Sequence, residues 1–288
     1  MNEKKEIFHH NKLILQKYYL HMELANRSEH TLESYKRVLD RFFSEVWIPI
    51  EDIQPEDVLE WLREHTQGKK ETTISTWMSI LSSFFMFCEA EEYIDQVPLK
   101  SRWRPRLPKP IPKYLDQNEL ARIQLQSEKS SLRNQILFEF LVTSGCRVGE
   151  TCALNKTDVD LHTRTVQVKG KGSKIRTVHF SERCAILLEK YMDTLPEETP
   201  ALFLNRSGSR ITRVGVHLIL SHMGKKANLS GSLGPHRLRH TFATTLLSKG
   251  AELSFIAEEL GHSNLDTTRV YARLPKDELV SMYRKYMG

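Results

Sequence analysis

The sequence predicts a mainly α chain of the α+β class, with an all-helical N-terminal domain and a mostly helical second domain that carries one small antiparallel sheet. Three observations predict it. Apolar residues recur at steps of three and four through long stretches, the spacing of one helix face. The period changes to two on either side of Gly170-Lys171-Gly172-Ser173, the pattern of a hairpin. Residues 97–112 read VPLKSRWRPRLPKPIP, five prolines interleaved with Lys and Arg. Proline removes backbone donors and fixes φ, so this segment is expected to run extended as a connector. The expected organisation is a helical domain over 1–96, a basic linker over 97–112 and a second domain over 113–288.

The first elements follow from apolar stripes. An opening helix is expected over Lys12–Ala25. Leu32, Tyr35, Leu39, Phe42, Phe43 and Val46 form the face of a second, capped by Ser28 or Thr31. Pro55 suits the first turn of a short helix carrying Val58, Trp61 and Leu62. Ile74, Trp77, Met78, Leu81, Phe84, Phe85 and Cys88 mark a fourth, with a cap placed at Thr72. The stripes are read as core of a four-helix unit.

Beyond the linker, helices are expected over Asp116–Gln126 and Leu132–Ser144, the latter ended by Gly145. Thr165–Lys169 and Lys174–Val178 alternate as the two hairpin strands. Helices resume at Glu182, and Leu279 or Val280, Tyr283 and Tyr286 or Met287 give a stripe on a terminal helix over 276–287.

Composition narrows the class. With 40% hydrophobic and 27% charged residues, the chain has the make-up of a globular protein. A net charge of +6 suits a polyanionic partner, and the positives are not gathered in a tail. Four scattered cysteines, Cys88, Cys146, Cys152 and Cys184, form no C-x-x-C pair and read as buried reduced thiols. Met1 to Asn11 is charged and lacks the apolar run of a signal peptide, and no stretch approaches the ~20 apolar residues of a membrane span. The expected compartment is the cytoplasm, with no membrane partner.

Six residues carry the candidate chemistry. Arg147 projects from a tight junction after Gly145, where its planar fork could meet two phosphate oxygens; a salt bridge to Glu150 is the plainer reading. Lys171 sits between two glycines at the hairpin tip, an ammonium able to act as a general acid. His236 and Arg239 are three apart, on one face of a helix begun by Pro235. His240, four from His236, raises a zinc alternative, but the run H-R-L-R-H lacks the glutamate of H-E-x-x-H and no third ligand is evident. His262 follows a helix end at Leu260-Gly261, and Tyr271 lies nine residues on. A phenol needs nearby cations and a proton acceptor to serve as nucleophile.

In kind, order and spacing, Gly145–Glu150, Lys171, His236-x-x-Arg239-His240, Leu260-Gly261-His262 and Tyr271 resemble the tyrosine recombinases, the phage-integrase superfamily. The likeness is to simple two-domain, Xer-like members, and it runs from the N-terminal helices to the C-terminus. The resemblance implies the tyrosine recombinase fold, with a SAM-like core-binding domain ahead of the catalytic domain. It implies Tyr271 as nucleophile, a 3′-phosphotyrosyl intermediate, phosphate contacts from Arg147, Arg239 and His262, proton donation by Lys171 and proton removal assisted by His236. Neither metal, ATP nor other cofactor is expected.

The implied partner is a double-stranded DNA site with inverted repeats, bound by a cyclic tetramer of this chain or with a paralogous recombinase. Lys36, Arg37, Arg41, Lys69, Lys70, Arg102, Arg104, Lys174, Arg210 and Arg213 are candidate DNA contacts. Because the core-binding-like helices begin almost at once, no separate arm-site domain is expected. That points to dimer or cointegrate resolution, or to integration and excision of a mobile element, including transposition. A type IB-like topoisomerase and a non-catalytic DNA-binding regulator of the same fold are the alternatives.

Overall fold

A computed structural model describes residues 2–107, 113–170 and 175–261. The chain divides into two compact units, Met1–Lys109 and Pro110–Gly288.

The first unit is built from four helices, α1 (Asn2–Leu24), α2 (Glu29–Glu45), α3 (Pro55–Thr66) and α4 (Glu71–Ala90). Each stripe seen in the sequence turns inward. Leu39, Phe42, Leu81, Phe84 and Phe85 are fully buried, with Tyr18 of α1 and Trp61 of α3 packed beside them. The aromatic rings meet edge to face, Phe42 on Trp61 at 5.1 Å and Phe43 on Phe84 at 5.3 Å between centroids, the geometry favoured by ring quadrupoles. Ser28 Oγ accepts from the backbone N–H of Thr31 and caps α2. Buried Asn11 donates to the Ile48 carbonyl and accepts from the Ile50 amide, which satisfies the turn between α2 and α3.

Two local expectations change. The fourth helix starts at Glu71 with Lys70 at its cap, so Thr72 lies inside the first turn and its carbonyl accepts from Thr76. The described part of residues 97–112 is not simply extended. Ser101–Trp103 forms one 3-10 turn, and Val97, Leu99 and Trp103 pack against the first unit's core, because apolar side chains between the prolines have a surface to cover.

The second unit holds α5 (Gln117–Glu128), α6 (Leu132–Ser144), α7 (Val148–Ala153), β1 (Val159–Asp160), β2 (Thr165–Lys169), β3 (Ile175–His179), α8 (Glu182–Met192), α9 (Arg213–Lys226), α10 (Pro235–Ser248) and α11 (Leu253–Leu260). Helix α6 is apolar on nearly every face; Ile136, Leu137, Phe138, Phe140 and Leu141 are all fully buried, the pattern of a central helix. The sheet runs β1-β2-β3, antiparallel throughout, with Val166 opposite Val178 and Val168 opposite Arg176. Val166, Val168 and Val178 face the core, whereas Ile175 points outward and is 70% exposed. Mainly helical with one small sheet, the architecture is that expected from the sequence.

Candidate active site

Two helices of the second unit end in left-handed glycines, and the site is built around those ends. Gly145 closes α6 at φ 61° and Gly261 closes α11 at φ 62°. The last carbonyls of a helix have no partner within it and carry partial negative charge. Here arginines supply the partners. Arg239 of α10, only 5% exposed, donates to the Gly145 carbonyl at 2.5 Å and the Leu260 carbonyl at 2.6 Å. Arg147, at the cap of α7, donates to the Gly261 carbonyl at 3.2 Å.

Glu150 completes the arrangement. One carboxylate oxygen accepts from the Arg147 backbone N–H at 2.8 Å and the other from its guanidinium at 3.0 Å. Arg176 of β3 adds a second fork to the same carboxylate, at 2.8 and 2.9 Å. Burial works against charge on Glu150, but the Arg176 and Arg147 hydrogen bonds outweigh it and hold the carboxyl below its ordinary range. The plainer reading of Arg147, a salt bridge to Glu150, is therefore present. It aims the side chain rather than occupying it, since the side chain remains 39% exposed.

Arg147, His236 and Arg239 line one cleft, together with Lys169, Gly170, Arg213 and Pro235. Pro235 starts α10, where its missing N–H costs nothing, and His236 and Arg239 then fall on the cleft side. Arg237, between them, turns away and pairs with Glu119 at 2.5 Å. Partial burial lowers the His236 pKa first, and the positive charge of the neighbouring Arg239 and Arg147 lowers it further, so its imidazole stays neutral below the usual range. Gly149 gives Arg213 room; a Cβ there would meet the Arg213 guanidinium at 2.8 Å. The cleft thus gathers cations and a neutral imidazole, an arrangement that receives an anion and can take up a proton.

Lys171, His262 and Tyr271 lie outside the described residues, as do Lys174 and the helix expected over 276–287. Among the described residues no three His, Cys, Asp or Glu side chains are grouped to hold a metal ion, and His240 sits beside His236 and Arg239 with its pKa lowered mainly by burial. The four cysteines are free and buried, and burial pushes the thiols of Cys88 and Cys146 up to about 12.

The candidate DNA contacts divide. Arg37 and Arg41 line a groove on the first unit with Thr72, Thr73, Thr76 and Trp77, while Lys69 lies over the Trp77 ring. Lys36 lies over Tyr19, Lys70 caps α4, Arg102 is in the 3-10 turn and Arg104 donates to Ser79. Arg210 is turned inward instead: it donates to the carbonyls of Cys152 and Leu154 and to the Asn155 side chain, so its fork fastens a bridge rather than facing solvent. Sequence reasoning passed over Arg176. No sequence signal marks it, because its inward face is set by pairing with Val168 and by Glu150 reaching it from α7.

Residues 113–278 match the phage integrase family, and residues 15–92 match the phage integrase N-terminal SAM-like domain. The chain belongs to the phage integrase family. Among members of that family it is 37% identical to the tyrosine recombinase XerC of Bacillus licheniformis over 93% of both chains. It is 35% identical to the tyrosine recombinase XerD of Oceanobacillus iheyensis, over 90% of this chain and 92% of that one. Among solved structures, the XerH site-specific recombinase bound to difH substrate, a pre-cleavage complex, is similar with a TM-score of 0.72 at 26% identity, covering 89% of this chain and 80% of that one. This phage-integrase member is a site-specific tyrosine recombinase of the Xer type, an enzyme that transfers DNA strands. Among its described residues no helix is long and apolar enough to cross a membrane.

Proposed function

We propose that the cleft receives the scissile phosphate of a duplex recombination site and that Tyr271 attacks it in line. The Tyr271 oxygen bonds to phosphorus as the bond to the 5′ oxygen breaks, leaving a 3′-phosphotyrosyl linkage and a free 5′-hydroxyl. His236 takes up the phenol proton and Lys171 supplies one to the departing oxygen. Arg147 and Arg239 stabilise charge on the non-bridging oxygens, and His262 adds a hydrogen bond to them. The observation that carries this reading is the convergence of Arg147, Arg239 and His236 in one cleft, with both guanidiniums held by helix-end carbonyls. Arginine and lysine charge does the work a metal does elsewhere, and the covalent linkage conserves bond energy, so the proposed reaction needs neither metal nor ATP.

The groove bearing Arg37, Arg41, Thr72, Thr73 and Thr76 is the proposed DNA-facing surface of the first unit. An apolar groove on the second unit, lined by Val142, Phe242, Leu246 and Phe255, supports assembly of a cyclic tetramer through the terminal segment over 276–287, with copies of this chain or a paralogue. The XerC, XerD and XerH relatives favour neither a topoisomerase nor a silent regulator. The proposed role is dimer or cointegrate resolution, or integration and excision of a mobile element, in the cytoplasm.

The test is a nicked suicide duplex carrying the inverted-repeat site that the protein selects from a random pool. A covalent protein–DNA adduct is expected with the wild type and none with Tyr271→Phe. An adduct that persists in Tyr271→Phe rejects the nucleophile, and relaxation without strand exchange rejects the recombinase role. Truncation after Leu274 is expected to keep single-site binding and abolish pairing of two sites.

A further inference from the structure

Arg176 is a charge on the wrong face of a strand. In β3 it sits directly opposite Val168 and on the same side as Val178, both buried, and its side chain is only 17% exposed. A guanidinium there needs partners on every side. It has them in two places. Its fork grips both oxygens of Glu150, and its Nε donates to the Glu259 carbonyl in the last turn of α11 at 3.4 Å. It also lies close against Gly261, where a Cβ would meet the guanidinium carbon at 2.8 Å.

These contacts tie α7, β3 and the end of α11 to one side chain. Glu150 is the residue that fixes both the backbone and the guanidinium of Arg147. Gly261 supplies the carbonyl that Arg147 uses and immediately precedes His262. Strand β3 is the return strand of the hairpin whose tip sequence holds Lys171. A second link from β3 to α11, His179 to the buried carboxylate of Glu259 at 2.7 Å, keeps that strand against the same helix.

We propose that Arg176 is a positioning residue of the phosphate clamp. It orients Arg147 through Glu150 and holds strand β3 against the end of α11, so that the clamp arginine and the Gly261 carbonyl it uses keep one spacing. It touches no substrate itself. The inference rests on the phosphoryl-transfer reading of the cleft and extends it to a residue outside the six.

Arg176→Met and Arg176→Lys separate positioning from plain stability. On the nicked suicide duplex, Arg176→Met is expected to lower the single-turnover cleavage rate constant at saturating DNA by about 100-fold, the scale of an ångström-sized misplacement. Its Kd for the intact site is expected within about twofold of wild type, since phosphate contacts elsewhere dominate affinity. Arg176→Lys keeps the charge beside Glu150 but replaces a fork by a point contact, and is expected to recover about tenfold of the loss.

The decisive readout is a duplex with a methylphosphonate at the scissile position. A neutral phosphonate asks less of Arg147, so a defect that acts through Arg147 shrinks on it by about tenfold. A defect of equal size on both duplexes, a wild-type rate constant, or a loss confined to Kd overturns the proposal. If Arg176→Met does not fold, Arg176→Lys decides alone, with a lower rate constant at unchanged Kd supporting the proposal and a wild-type rate constant overturning it. A wild-type protein that forms no adduct rejects the phosphoryl-transfer reading itself, and the proposal with it.

Discussion

The Arg239 guanidinium and the Gly145 carbonyl lie 2.5 Å apart, so a buried cation of α10 satisfies the open end of α6. The relationship explains why the site needs glycine at 145. A left-handed turn directs that carbonyl toward the cleft, and a side chain at the same position would collide with the Phe242 ring. Gly145→Ala is expected to cost about 2–4 kcal/mol of unfolding free energy, the left-handed backbone cost plus overpacking. Thermal unfolding checks it, and a melting temperature equal to wild type would show that Phe242 and the backbone adjust freely.

Glu150 stands between two arginines, and the prediction for its removal is correspondingly large. Glu150→Ala leaves Arg176 partly buried without its main counter-charge, an expected loss of about 2–4 kcal/mol, toward the low end for a broken buried pair because Arg176 keeps some solvent. The sign with pH is fixed by the depressed carboxyl. Its contribution is present above the ordinary glutamate range and fades as pH falls through the folded value. Urea unfolding of wild type and variant, compared at neutral and acid pH, is expected to converge only at acid pH.

On the proposed mechanism, His236 sets the acid limb of the reaction. As proton acceptor it must be neutral, and burial with the charges of Arg239 and Arg147 lowers its pKa. The single-turnover cleavage rate is therefore expected to stay level as pH falls through the usual histidine range and to drop only below it, about tenfold per pH unit for a single titration. A rate that begins to fall above pH ~6.5, the unperturbed histidine value, would remove His236 as the titrating base.

Much of this site was legible because its backbone requirements are written in glycine and proline. Gly145, Gly261 and Pro235 mark three helix ends, and the flanking Arg147 and His236 follow from them. The fold was legible for the same kind of reason: the stripes on α2 and α4 leave little choice about which face is buried. Arg176 was not legible. The run Ile175-Arg176-Thr177-Val178 has apolar residues at both parities, so alternation alone does not say which face is inward. The choice is made by β2, where Val166 and Val168 pair with Val178 and Arg176, and by Glu150 arriving from another helix. Arg210 misled in the opposite direction. Its charge suggests DNA, while the carbonyls that claim it belong to residues more than fifty positions earlier.

The groove on the first unit makes a prediction about salt. Arg37 and Arg41 line it beside three threonines, and Arg41 lies 5.8 Å from the Trp77 ring centroid, which steadies a long side chain over an aromatic face. If both guanidiniums meet phosphates, each releases condensed counterions on binding. Replacing either by alanine is then expected to reduce the slope of log Kd against log salt by about 0.9 for each phosphate no longer neutralised, with binding weakened on specific and random duplex alike. The threonines face the same groove but carry no charge, so Thr73→Ala is expected to leave the salt slope unchanged. If it instead weakens binding to the selected site more than to random duplex, Thr73 reads bases where the arginines hold the backbone. Fluorescence anisotropy across a salt series separates the two, and an unchanged slope in Arg37→Ala and Arg41→Ala would move the DNA-facing surface of this unit elsewhere.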